Sequence, residues 1–411
     1  MGTNSVVETR QDHVFWTYWT AGTISSVGSA VSAVALPLTA VVLLHASALQ
    51  VGLLTAASYV AWIVIGLPAG VLVARMPLRA TQVAMDLVRA LALASVPLAW
   101  WLDRLTLAQL VVVALVESFA GVVFDVGNMT LLPAIVSRDE LGRRNSLMSG
   151  THATTQLGGP SLGGLLVQLF GAVPAVLVDA VSYLVSGALI GRLPDRRVPQ
   201  PEHPTPMREM IRDGWHFVTR HPVMGPTMWE ATATNFVCGA LMALTPLYLV
   251  RELHAAPGVV GLLIASDGVG SLVGAFFAGR VSRRFGTARS ILVAGFAGAV
   301  LALLLPAGYG VPGMVLFAIG NAGFAAGVVI GSVNTRTFRQ TASPPELLSR
   351  VMATVRFVSW GAIPVGALAA GVAATLLGVR PALWLTAVAT FLPVAVLLAS
   401  PVRTLRDLPT A

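Results

Sequence analysis

Long apolar runs, separated by short polar breaks, recur along the whole chain. A membrane-spanning helix needs about 20 mostly apolar residues. Twelve stretches of roughly that length are present. They lie near 15–44, 50–73, 81–102, 107–133, 145–170 and 172–192, then 226–250, 258–280, 289–309, 311–335, 349–377 and 381–400. Pro37 predicts a bend in the long first span. The pattern predicts an all-α polytopic membrane protein.

The two halves of the chain echo each other. Gly121-Val122-Val123 with Asn128 returns as Gly327-Val328-Val329 with Asn334, and Glu140-Leu141 with Arg144 returns as Glu346-Leu347 with Arg350. Both pairs stand 206 positions apart. Six spans plus six, joined by a long polar loop, is the layout of parallel repeats in a secondary transporter, whose halves rock around a site near the bilayer midplane. The expected organisation is a six-helix bundle at 1–193, a linker at 194–225, and a second six-helix bundle with a short tail at 226–411.

Charge sets the orientation. All 26 basic residues are Arg. They crowd alternate loops: Arg75 and Arg79; Arg138, Arg143 and Arg144; Arg192 through Arg220; Arg280, Arg283, Arg284 and Arg289; Arg336, Arg339 and Arg350. The intervening loops hold Arg104, Arg251 and Arg380. Basic loops stay in the cytoplasm. Both termini are therefore expected there, in a multi-pass protein of the inner (cytoplasmic) membrane. The net charge of +8 thus reads as topology rather than as a nucleic-acid surface.

Composition narrows the chemistry. The chain is 55% hydrophobic and 11% charged, too apolar for a soluble enzyme's surface. Without Lys there is no Walker A phosphate loop and no Schiff-base lysine. Cys238 stands alone, so neither an internal disulfide nor a cysteine metal cluster is expected. No enzyme activity, cofactor or metal is expected. Residues 1–13 carry Glu8, Arg10 and Asp12 and lack the basic start of a cleaved signal peptide.

The linker opens Pro-rich, from Pro194 to Pro206, and continues with Met207, Ile211, Trp215 and Val218 at helical spacing among arginines. This predicts an amphipathic helix lying on the inner leaflet.

Ionisable groups inside spans are expensive and usually face the bundle interior. They are Asp86, Arg89, Glu117, Asp125, His152, Asp179, Glu230, Asp267 and Arg356. Asp86 and Arg89 stand three apart and can pair on one helix. Glu117 and Asp125 are separated by about 80° around their helix, close enough to line one cavity. An acid in a dry site can load and release a proton near neutral pH. Asp125, Glu117 and His152 are therefore the proton-coupling candidates, with capping or a loop arginine as the plainer reading of Asp125. Asp179, near Ser182 and Tyr183, reads as structural. Glu230 and Asp267 are candidates for the cavity wall, and Trp229 and Trp360 for stacking on a ligand. Gly268, Gly270 and Gly274 faintly suggest a nucleotide loop, but inside an apolar span they read as helix packing.

Gly70 to Arg79 reads GVLVARMPLR and Gly279 to Arg289 reads GRVSRRFGTAR. This pair resembles the inter-helix loop signature of the major facilitator superfamily. Gly158-Gly159-Pro160-Ser161-Leu162-Gly163-Gly164 resembles the Gly-Pro-x-x-Gly-Gly motif of its antiporter branches, with a weaker echo at Gly361, Pro364 and Gly366. The run from Phe15 to Leu193 is similar to the branch of siderophore exporters and macrolide efflux proteins. The resemblance implies proton-coupled export of a small hydrophobic or amphipathic molecule. It implies gating roles for Gly70, Arg75, Arg79, Gly159, Pro160, Gly163, Gly164, Gly279, Arg284 and Gly286. The chain departs from the pattern at Ala74 and Arg283, where an acid is usual, at Pro77, and at Glu117, where many drug antiporters carry an Arg. The partners expected are a small-molecule substrate, protons and lipid, acting on a monomer. The alternative is an importer or facilitator of a small polar metabolite, or a non-transporting membrane sensor.

Overall fold

The computed structural model describes residues 2–409 except 67, 70–72, 74, 75, 137–139 and 195–206. The helices of the first bundle are α1 (Gly2–Leu38), α2 (Ala48–Val64), α3 (Leu78–Trp101), α4 (Leu107–Ile135), α5 (Leu141–Phe170) and α6 (Ala172–Gly191). A linker helix α7 (Met207–Arg220) follows. The second bundle holds α8 (Met224–Leu247), α9 (Pro257–Phe285), α10 (Thr287–Ala302), α11 (Gly310–Ala342), α12 (Pro345–Leu377), α13 (Val379–Ala389) and α14 (Leu392–Leu398). Nine described segments are long and apolar enough to cross a membrane. Shorter α2 and α10 are apolar as well.

Local chemistry explains the boundaries. Ser47 and Gln50 form a reciprocal capping box at the start of α2. Thr106 caps α4 by accepting from the Gln109 amide at 3.3 Å. The expected bend at Pro37 takes another form. The helix runs through the proline and widens into a π-helical turn at Thr39–Leu43. The ninth predicted span reached 309, whereas α10 ends at Ala302, ahead of Pro306. The twelfth is broken into α13 and α14 ahead of Pro393.

The repeat is visible in the backbone. A second π-helical turn, Tyr248–Glu252, follows α8 just as Thr39–Leu43 follows α1. His45 and His254, just beyond these turns, are both left-handed. Gly171 and Gly378, with φ of 90° and 93°, join α5 to α6 and α12 to α13. Glycine alone takes that conformation without strain.

The bundles meet through small residues. A methyl placed on Gly164 of α5 would stand 2.7 Å from the Gly261 Cα of α9. One on Gly52 of α2 would stand 2.7 Å from the Ala367 carbonyl of α12, and one on Gly268 would lie 2.8 Å from the Leu157 Cα. Arg251 donates to the Ala46 carbonyl at 2.5 Å, and the Gly258 amide donates to Gln168 at 3.0 Å. These contacts lie toward the arginine-poor end. Gly270 and Gly274 pack on Ala322 and Ala326 of α11, so this glycine cluster serves helix packing.

The antiporter-like motif on α5 divides its small residues. Gly159 abuts Ala30 and Gly163 abuts Val31 on α1, while Pro160 and Gly164 face Gly261 in the other bundle. Gly286, with φ of 89°, opens α10 beneath the C-terminal tail, whose Arg406 carbonyl accepts from Ala288 at 3.1 Å. Asp407 accepts from the Thr287 amide at 2.8 Å. Gly70 and Arg75 lie outside the described residues.

Candidate functional site

Two polar assemblies occupy otherwise apolar spans. The first lies inside the first bundle. Arg89 on α3 donates to Glu117 on α4 at 3.2 Å, and its guanidinium stacks 3.9 Å from the Tyr183 ring centre on α6. The Tyr183 hydroxyl donates to the same Glu117 oxygen at 3.2 Å and shares a hydrogen bond with Ser29 on α1 at 2.8 Å. Asp86 and Asp179 complete the group, both fully buried. Asp179 accepts from Ser182 at 3.1 Å. The expected Asp86–Arg89 pairing is replaced by Arg89–Glu117. Arg89 thus draws its partners from two other helices, Glu117 on α4 and the Tyr183 ring on α6.

The second assembly sits on the seam between the bundles. Asp125 on α4 is surrounded by protein, yet water reaches its side chain, the combination expected on a cavity wall. The charges nearest to it belong to Arg89, Arg356 and His152. Arg356, on α12 of the second bundle, lies 4.0 Å from the ring centre of Trp62 on α2 and 4.4 Å from that of Trp360. The two indoles meet edge to face at 4.9 Å. An acid from one bundle and a cation from the other thus share one region, and the cation rests on an aromatic pair drawn from both. Glu117 and Asp125 do not share a wall. Glu117 turns into the bundle core and Asp125 toward the seam.

The remaining candidates scatter. Glu230 leaves the expected cavity wall for the interior of the second bundle. It borders a void of about 20 Å³ among Ile291, Phe324 and Thr390. Arg339 on α11 is its nearest counter-charge, and Thr234 donates to it at 3.3 Å. The void has room for about one water molecule. Asp267 is water-exposed, with Cys238 across from it on α8. Trp229 lines an apolar groove with Phe236, Val358 and Leu392, apart from Trp360. Arg79 braces its own bundle, donating to the Leu193 carbonyl at 3.0 Å. Arg284 lies 5.7 Å from the Phe285 ring centre, and Gly279 stands beside Arg283.

The sequence marks Arg356 as an intramembrane charge and Trp360 as a stacking residue, but does not join them or bring Trp62 to them. A lone arginine in an apolar span needs partners on another helix, and an aromatic at similar depth is a natural one.

Residues 6–410 match the family described as transmembrane secretion effector. The chain is 27% identical over 370 residues to the multidrug efflux pump Tap of Mycolicibacterium fortuitum, covering 85% of this chain and 88% of Tap. It is 28% identical over 333 residues to an uncharacterized MFS-type transporter of Sinorhizobium fredii, covering 79% and 80%. Among solved structures, the nucleoside transporter NupG superposes with a TM-score of 0.76 at 11% identity, over 94% of this chain and 98% of that one. A bacterial homologue of the iron transporter ferroportin, in an inward-facing state, gives 0.70 at 16% identity, over 94% and 98%. These structures share the fold. The chain belongs to the transmembrane secretion effector family and is a multi-pass membrane transporter of the major facilitator superfamily.

Proposed function

We propose that this transporter exports small hydrophobic or amphipathic compounds across the cytoplasmic membrane in exchange for protons, as a monomer. The bundles at 1–193 and 226–411 rock about the seam, and 194–225 links them on the cytoplasmic side. The arginine-rich end and both termini face the cytoplasm, as basic loops do. The closest inter-bundle backbone approaches lie toward the other end, which supports a state open to the inside.

One observation supports the coupling: Asp125 of the first bundle is reached by water and is drawn electrostatically to Arg356 of the second. Ionised Asp125 attracts Arg356 and holds the bundles in one relation. A proton on Asp125 removes that attraction. A cationic or aromatic substrate competes for the Trp62–Trp360 pair that Arg356 occupies. Proton and substrate then act on one latch, as exchange requires. His152 stands beside Asp125 as a proton donor or acceptor, and Asp267 supplies a second acidic wall. The similarity to a named multidrug efflux pump supports export.

The test uses proteoliposomes with an imposed pH gradient and ethidium as probe. Wild type extrudes ethidium, and Asp125→Asn loses gradient-driven extrusion while retaining exchange without a gradient. Undiminished gradient-driven extrusion by Asp125→Asn overturns the assignment. Gradient-driven accumulation of a radiolabelled nucleoside in the opposite direction favours import of a polar metabolite instead.

A further inference from the structure

The assembly inside the first bundle has no place in the latch just described, and its charges do not balance. Three carboxyl groups, Asp86, Glu117 and Asp179, surround one guanidinium, Arg89. Asp86 and Asp179 are 0% and 1% exposed. Both carboxyl oxygens of Asp86, one of Asp179 and one of Glu117 are buried without a hydrogen-bond donor. The Ser186 hydroxyl lies beside Asp86 and the Ser32 hydroxyl beside Asp179, as the uncharged neighbours of these carboxyls. The elements packed around the group add few charges. Among the described residues, α1 contributes Ser29 and Ser32, and α6 adds the Tyr183 phenol. From α4 comes Asp125, which Arg89 also faces.

Fully ionised, the group would carry two uncompensated negative charges in a dry, low-dielectric interior. Each buried ion without a partner costs several kcal/mol. Protons relieve that cost without needing space, and a protonated carboxyl gains a donor that a neighbouring hydroxyl oxygen can accept. Arg89 touches Glu117 on one side and feels Asp125 on the other, so it links the buried group to the seam.

We propose that Asp86, Glu117 and Asp179 form a buried proton-binding site, separate from the cavity acid, whose occupancy reaches Asp125 through Arg89. The bound species is the proton. A change in the charge of Asp125 alters how strongly Arg89 is held by Glu117, and so how readily Glu117 takes a proton.

Infrared spectroscopy of purified wild-type protein at neutral pH tests this directly. The expected result is a carbonyl-stretch band of protonated carboxyls that resists exchange in heavy water, as buried groups do. Asp86→Asn and Asp179→Asn each remove part of the band. Asp125→Asn leaves the band present but shifts its pH midpoint. Absence of the band in wild type overturns the proposal and needs no variant. So does a band unchanged in both aspartate variants. Replacing sodium by choline leaves the band unchanged; a band that grows when sodium is removed assigns the site to that cation instead. Because the readout is spectroscopic, failure of the export reading leaves this result standing, and the reverse holds too.

Discussion

The guanidinium of Arg356 lies 4.0 Å from the ring centre of Trp62, on a helix of the opposite bundle. A cation on an aromatic face is worth about 0.5–2 kcal/mol, more when it is desolvated. Trp62→Leu removes this contact and retains an apolar side chain. The balance between the two states is expected to move roughly two- to thirtyfold away from the state described, by the same 0.5–2 kcal/mol. Spin-label distances across the arginine-rich end, measured in the variant and in wild type, check the shift.

Gly164 and Gly261 bring α5 and α9 to backbone contact. Gly164→Val places a branched side chain where even one carbon stands 2.7 Å from the opposing Cα. The arginine-poor end is expected to stay open, so labelling of a cysteine introduced at that end rises and ethidium extrusion falls. Gly158→Ala is the control, because nothing stands within 4 Å of the added methyl. It is expected to extrude at the wild-type rate.

Arg89 is the positive charge that the Asp86, Glu117 and Asp179 carboxyls surround. Breaking a buried ion pair by removing one partner costs about 3–5 kcal/mol. Arg89→Met is expected to lower thermal stability in detergent by that order. Adding Glu117→Gln is expected to restore much of it, since the stranded carboxylate is gone. A double variant no more stable than the single one counts against the pair as the source of the loss.

His221 sits outside the spans, between α7 and α8. Its Nδ1 accepts from the Val223 amide at 3.1 Å and the Met224 amide at 3.2 Å, capping α8. Burial lowers its proton affinity below the usual value of 6.5. The neutral ring is the one that caps. Its contribution is therefore present above the unfolded value and lost as pH falls through the folded one. Acidification below about 6.5 is expected to speed amide exchange at the start of α8. His221→Asn keeps an acceptor and is expected to remove the pH dependence, whereas His221→Ala is expected to cost about 0.5–2 kcal/mol above neutral pH and progressively less as acid removes the cap from wild type.

Much of the architecture is local and therefore legible along the chain. Span length, loop charge and the recurrence of Glu140 and Arg144 as Glu346 and Arg350 depend on neighbours in sequence. So do the helix stops at prolines, although Pro306 and Pro393 act earlier than the apolar runs suggested. Gly268, Gly270 and Gly274 on α9 were readable as packing residues because only a missing side chain permits backbone contact.

The site was legible as a set of residue types and illegible as a set of partners. Helices apolar on nearly every side carry no strong amphipathic signal to say which face turns inward. Their spacing lets Glu117 and Asp125 share a wall, yet the rotation of α4 sends one into the bundle and the other to the seam. Glu230 looked like a cavity acid, but α8 directs it toward α11. Sequence alone determined a two-bundle membrane transporter with acids in its spans. Only the tertiary structure decided that Arg89 answers Glu117 and Arg356 answers Trp62, because those pairings depend on how separate helices rotate and pack.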